Sequence, residues 1–265
     1  MPEERSSLVC ATQDPMRHLL GIDLGTSGLK AAIFDLDGTL LGLGRATNSY
    51  LAGPTGWAEQ DPRTWWSGCC EAVQIALAQA DVKATSVVAV GVCGFHHCPV
   101  FLDAEGIPVR PTIVTHDNRL GESLADLEQS GVLEEVVRIS GSRVMTGHFP
   151  PIYQLVRTHD SRALERVRWI LLAKDYLRFQ LTGRIGTELC DATGTNLIAM
   201  PEQDWSAALC SLLQVPRHKL PEIGRSSQIA GNVTPEAARA TGLEPGTRVV
   251  YGGGDSHCAL VGLGV

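Results

Sequence analysis

The chain has 265 residues, a length for one large domain or two small ones, and 44% of them are apolar, ample for a buried core. Lys and Arg number 22 against 29 Asp and Glu, for a net charge of −7. An acidic chain without a basic run argues against nonspecific nucleic-acid or membrane-surface binding, and no apolar stretch reaches the ~18 residues of a membrane span.

Residues 1–17 carry Glu3, Glu4 and Asp14 and lack an apolar h-region. They read as a flexible tail rather than a secretory signal, with the folded domain beginning near His18. Leu19 to Asp23 predicts a strand and Leu29 to Phe34 a second, with a hairpin turn at Asp37-Gly38 and a third antiparallel strand over Thr39 to Ser49. Asp61 as N-cap and Pro62 at the first helical position open a helix that runs to about Ala80. Val87 to Cys93 is a continuous apolar run, the pattern of a strand buried on both faces. Val100 to Leu102 and Ile107 to Val109 predict a further hairpin.

Beyond it, Leu120 to Ser140 and Ile152 to His159 predict helices, Trp169 to Leu172 a strand, and Lys174 to Leu181 a helix stopped near Gly183. Trp205 to Leu213 and Pro235 to Thr241 are again helical. Val249 to Tyr251 predicts a strand, Gly252 to Asp255 a tight turn, and Ser256 to Leu263 a last helix, which is expected to break off, still apolar, at Val265. Strands alternating with helices indicate an α/β domain.

The eight cysteines include no CxxC pair. They read as buried thiols of a reducing, cytoplasmic compartment. Zinc at Cys93, His96, His97 and Cys98 is disfavoured for want of a second ligand pair at zinc-finger spacing.

Two Gly-rich turns carry the chemistry. In Gly21 to Lys30 a strand delivers Asp23 to its C-terminal end, and Gly25, Thr26, Ser27 and Gly28 follow as a turn whose N–H groups and hydroxyls suit an anionic phosphate. The same residues would also serve a plain hairpin. In Gly252-Gly253-Gly254-Asp255, Asp255 stands where a strand gives way to a helix, placed to accept a hydroxyl proton or to cap the helix.

These turns, taken in order with Gly56 to Pro62, Trp65-Trp66, Leu172 to Leu177, Thr182-Gly183 and Cys190 to Thr195, resemble the N-terminal domain of the FGGY carbohydrate kinases, and within them the xylulokinases. The resemblance implies a ribonuclease H-like α/β fold, the fold of actin, hexokinase and the Hsp70-type ATPases. Residues 18–265 would form the sugar-binding domain, and a C-terminal nucleotide-binding domain would lie outside this chain.

The implied reaction is phosphorylation of D-xylulose to D-xylulose 5-phosphate with ATP and Mg2+. Asp255 would be the general base, and Asp23 a second catalytic carboxylate and the metal ligand. His96, His97, Asp117 and Arg119 would meet the sugar. Gly25, Thr26, Ser27, Gly253 and Gly254 would meet the nucleotide phosphates.

The chain departs from the family at Phe95-His96-His97-Cys98, where Gln-Met-His-Gly is usual, and at Thr115 to Arg119, which keeps Asp117 and Arg119 but loses a Trp. Ile152 and Leu155 stand where the family has a Lys and a Trp. These changes leave another ketose or polyol open as substrate, and a truncated sugar-binding module as the non-catalytic alternative. The resemblance also leaves room for a homodimer.

Overall fold

The structure, a computed structural model, describes residues 17–264. The expected tail lies outside them except for Arg17, as does Val265.

The front of the chain forms β1 (His18–Leu24), β2 (Gly28–Asp35) and β3 (Leu40–Thr47), an antiparallel meander. Successive strand residues point to opposite faces. Leu20, Ile22 and Leu24 of β1 are therefore buried, while Gly21 and Asp23 face the other way. After the short β4 (Glu59–Gln60), helix α1 spans Pro62–Ala80. Its Asp61 N-cap accepts from Arg63 N, and Asp81 closes it in a left-handed conformation. The buried face of α1, from Trp65 through Cys69, Ala72 and Ala76, packs on β2 and β3.

Strand β5 (Val87–Gly94) returns parallel to β1. The strand Arg248–Val250 and the two-residue strand Gly253–Gly254 both add parallel to β5, and Ile229–Asn232 closes the sheet antiparallel to Arg248–Val250. The sheet order is thus Ile229–Asn232, Arg248–Val250, β5, β1, β2, β3. Parallel strands joined by crossovers end on the same side of a sheet, where α/β folds build their sites.

Several expectations are corrected. Strand β5 is not buried on both faces: Val90, Val92 and Gly94 are, but Val88 is 37% exposed, and Gly91 and Cys93 line an open cavity. The run over Leu120 to Ser140 is two helices, Leu120–Gln129 and Val132–Ser140, broken by Gly131 at φ 75°. Such a left-handed turn ends a helix whatever the apolar pattern around it. The turn after Leu102 forms as expected, but its return is a single bridge, Leu102 to Pro108; the strand Pro99–Leu102 takes its ladder from Trp169–Leu172 instead.

Trp205 lies in a short strand, and Ser206 caps the helix Ala207–Leu212 that follows. Arg168 falls beyond the helix Ser161–Arg166 and stacks on Trp169. Gly252 takes φ 82°, but Gly253–Gly254 is a strand rather than part of a tight turn. The last helix runs over Asp255–Gly262 and closes at Leu263.

Candidate active site

Three parallel strands bring distant parts of the chain to one row. Asp23 of β1 pairs in register with Cys93 of β5, and Cys93 with Gly253. Next come the segments that leave these strands: the turns Gly25–Ser27 and Phe95–Cys98, and the helix start at Asp255. Asp23 and Cys93 share the face opposite the core and line a cavity of about 750 Å³ with Lys30, Gly253 and His257. Phe34, Leu43, Val250 and Val261 make much of its lining apolar, and Asp255, His96 and His97 are not among its lining residues. Asp23 is 3.6 Å from Lys30 Nζ, and Cys93 Sγ is 3.6 Å from its Oδ1.

The first turn is held from behind by groups that the sequence reading did not single out. Gly25 N donates to Gly28 O, and Asn48 Nδ2 donates to Gly25 O. Gln60 Nε2 donates to Thr26 O while its Oε1 accepts from the buried Trp65 indole. The carbonyls of the turn are thereby held by Asn48, just after β3, and by Gln60 of β4, which Trp65 of α1 holds in turn.

The second turn contains His96 and His97. Cys98 N donates to His96 O across His97, which sits at φ 74°. A bond between residues two apart around a positive φ is the strained form of γ-turn. It aims adjacent imidazoles in different directions. His97 Nδ1 meets Gly194 O at 2.8 Å, and its ring stacks on His148 at 4.1 Å. Burial, the neighbouring His148 and then His96 push its pKa down to about 4. His96 Nδ1 instead meets Asp191 Oδ1 at 3.0 Å, and its Nε2 lies 3.3 Å from His257 Nδ1 and 3.7 Å from Asp255 Oδ1. The bond to Asp191 raises its pKa against the opposing effect of burial, with the charges of Asp191 and Asp255 adding to the rise.

Behind Asp191 lies a fully buried charge cluster. Lys174 Nζ is 2.8 Å from Asp175 Oδ1 and 3.6 Å from both Glu188 Oε1 and Asp191 Oδ2, and Arg178 Nε is 3.8 Å from Asp175. Burial disfavours the Lys174 ammonium, yet the three carboxylates raise its pKa. Glu188 also caps the helix Leu189–Thr193, accepting from Cys190 N and Asp191 N. Lys174, Asp175, Glu188 and Asp191 received no role from the sequence, although a Lys-Asp pair inside the apolar stretch Trp169 to Leu177 was a signal of buried charge.

The structure gathers Asp23, His96, Gly253, Gly254 and Asp255 at the strand ends, with His97 beside them. Asp117 and Arg119 engage other partners. Asp117 accepts from Ala58 N and pairs with Arg119 at 2.7 Å; Arg119 also reaches Glu59 at 2.7 Å and lies over Trp57. Burial works to raise the Asp117 pKa, but Arg119 and the Ala58 N–H hold it below the ordinary value. The four residues considered for zinc diverge: Cys98 is wholly buried in the core, Cys93 faces Asp23, and the histidines turn to Asp191 and Gly194. Among the described residues all seven cysteines are free, and no helix is long and apolar enough to cross a membrane.

The comparisons with known proteins agree with one another. The family model described as the FGGY family of carbohydrate kinases, N-terminal domain, matches residues 18–262. The xylulose kinase of Escherichia coli (strain K12) is 31% identical over 93% of this chain and 50% of its own length. The autoinducer-2 kinase of Salmonella choleraesuis (strain SC-B67) is 27% identical over 97% of this chain and 49% of its own. The crystal structure of xylulose kinase from Rhodospirillum rubrum superposes with a TM-score of 0.87 at 24% identity, covering 94% of this chain and 51% of that one. The fold is therefore the ribonuclease H-like α/β fold of these kinases, and the chain spans about half the length of the curated relatives it matches. From residue 18 to residue 262, this chain belongs to the FGGY family of carbohydrate kinases and corresponds to its N-terminal domain.

Proposed function

We propose that this chain is the sugar-binding half of an ATP-dependent carbohydrate kinase that converts D-xylulose to D-xylulose 5-phosphate. The observation that carries the reading is the meeting of Asp23, the Phe95–Cys98 turn and Asp255 at one row of parallel strand ends. Xylulose kinases among the relatives support the choice of sugar.

Asp255 is the general base. Its Oδ1 accepts from Ser256 N at 2.6 Å and Ser256 Oγ at 3.1 Å, which leaves Oδ2 for the proton of a sugar hydroxyl. As that proton moves to Asp255, the hydroxyl oxygen attacks the γ-phosphoryl group of ATP and ADP departs. Phosphoryl transfer asks the protein mainly for positioning and for donors around the phosphates. Thr26 and Ser27, with the backbone of Gly25, Gly253 and Gly254, would line that approach. His96 and His97 form the sugar wall nearest the base, and Asp117 with Arg119 braces the Trp57–Glu59 segment as its outer part.

Mg2+ fits the site as an ion carried by the nucleotide. Among the described residues no three His, Cys, Asp or Glu side chains converge as a cage, and Asp23 stands as a part-exposed carboxylate. A magnesium ion that keeps phosphate and water ligands needs only one or two such groups. Asp23 would hold it, where it offsets phosphate charge. A C-terminal nucleotide-binding domain would supply the adenine pocket, and free thiols suit a cytoplasmic setting.

A second reading keeps the chemistry and changes the sugar. His96 stands where the resemblance expects Met, and relatives include kinases named for L-xylulose and autoinducer-2. The test is ATP-dependent phosphorylation of a sugar panel by this chain and its Asp255→Ala variant. Turnover of D-xylulose that is lost in the variant supports the first reading, and turnover of another sugar alone supports the second. Turnover that survives in the variant removes Asp255 as base. Sugar binding without any turnover, even with a C-terminal nucleotide-binding domain supplied, would favour a non-catalytic module.

A further inference from the structure

The imidazole of His96 is held on three sides, each by a different element. From the helix Leu189–Thr193, Asp191 Oδ1 meets Nδ1 at 3.0 Å; from the helix Asp255–Gly262, Asp255 Oδ1 and His257 Nδ1 lie 3.7 and 3.3 Å from Nε2. The ring itself packs on the backbone of Gly254, where a Cβ would overlap it. A carboxylate on Nδ1 sets which ring nitrogen carries the proton and fixes the ring plane. Nε2 is thereby aimed at the helix start that carries Asp255.

We propose that His96 acts through Asp255: Asp191 locks its ring so that Nε2 faces Oδ1, and the charge on the imidazole sets how strong a base the carboxylate is. This rests on the reading of Asp255 as the base. It assigns to His96 a function that the Met expected there could not perform, since a thioether carries no proton.

The charges around the ring set the sign. Lys174 and Arg178 face Asp175, Glu188 and Asp191 in the buried cluster, one negative charge in excess. Asp255 adds another at the surface, while His257, His97, His148 and Cys258 complete the neighbours. This surplus favours the imidazolium. A protonated His96 places a cation beside Asp255 and weakens it as a base; a neutral His96 restores it. Turnover therefore falls as pH drops through the His96 pKa.

The test reads the coupling without turnover. Imidazole signals of this chain are titrated by NMR together with the Asp255 carboxyl carbon. A carboxylate 3.7 Å away is expected to move the His96 pKa by about one. In wild type the Asp255 carbon should show a step at the His96 pKa, and that step should vanish in His96→Gln. In Asp255→Asn the His96 pKa should drop by about one. An Asp255 carbon blind to His96, or a His96 pKa unchanged in Asp255→Asn, overturns the proposal. Either result leaves the assignment of the base itself to the phosphorylation assay. In that assay His96→Met should remove the acid limb of the kcat profile that His96 imposes, with KM for the sugar changed less than kcat. A profile identical in the two proteins also overturns it.

Discussion

His96 and His97 are neighbours in sequence, leave the same strand, and meet opposite surroundings. His97 enters a region where burial and the stacked His148 outweigh the opposing bond to the Gly194 carbonyl, and the imidazole is held neutral. His96 enters a region organised by Asp191 and Asp255, and its charged form gains. The strained turn at His97 makes this division possible by pointing the two rings apart. Chemical identity therefore says little about an imidazole; the elements that pack against it decide what it can do.

The largest expected effect breaks the charged side at its working end. Asp255→Asn should lower the sugar phosphorylation rate by about 10²-fold or more, the usual scale for losing a general base, with the fold retained by circular dichroism. Next comes the cluster behind His96. Lys174→Met leaves Asp175, Glu188 and Asp191 buried without their shared ammonium. Denaturant unfolding should show a loss of about 3–5 kcal/mol, the scale for removing one partner of a buried ion pair. Gly254→Ala tests the contact that confines the His96 ring; overpacking of this kind costs about 1–3 kcal/mol, and the pKa of His96 should move with the displaced ring.

The smallest effect separates the two histidines by the sign of their pH linkage. The folded pKa of His96 is raised above 6.5. Its contribution to stability is therefore complete below that value and lost as pH rises through the folded pKa. The folded pKa of His97 lies near 4, against 6.5 unfolded, so the unfolded chain binds the extra proton between those values and stability declines as pH falls through that window. Each slope is at most about 1.4 kcal/mol per pH unit. Stability measured across pH should lose the first slope in His96→Gln and the second in His97→Gln. Equal effects of both variants on one slope would erase the contrast.

Much of the front of the molecule was legible because its signals are local. A short apolar run and the Asp37-Gly38 turn marked the opening strands, Asp61 and Pro62 marked the start of α1, and the two Gly-rich segments pointed to the strand ends where they lie. Gly131 was overlooked because an apolar period continues on both sides of it. The apolar run of β5 does not reveal that one face of the strand opens on a cavity, because that depends on what packs there. Gln60, Asn48 and Lys174 were missed for a related reason: each works through a partner far along the chain, Thr26, Gly25 and Asp191 respectively. Asp117 and Arg119 were legible as a pair, while their engagement of Glu59 and Trp57 was not.

The central claim is that the turns at these strand ends receive a sugar, and the most direct measurement is titration of D-xylulose into the isotope-labelled chain. The account predicts saturable shifts concentrated at Gly94–His97 and Gly253–His257, with the His96 and His97 imidazoles both responding. Saturable shifts centred elsewhere, or none for any ketose, would contradict it.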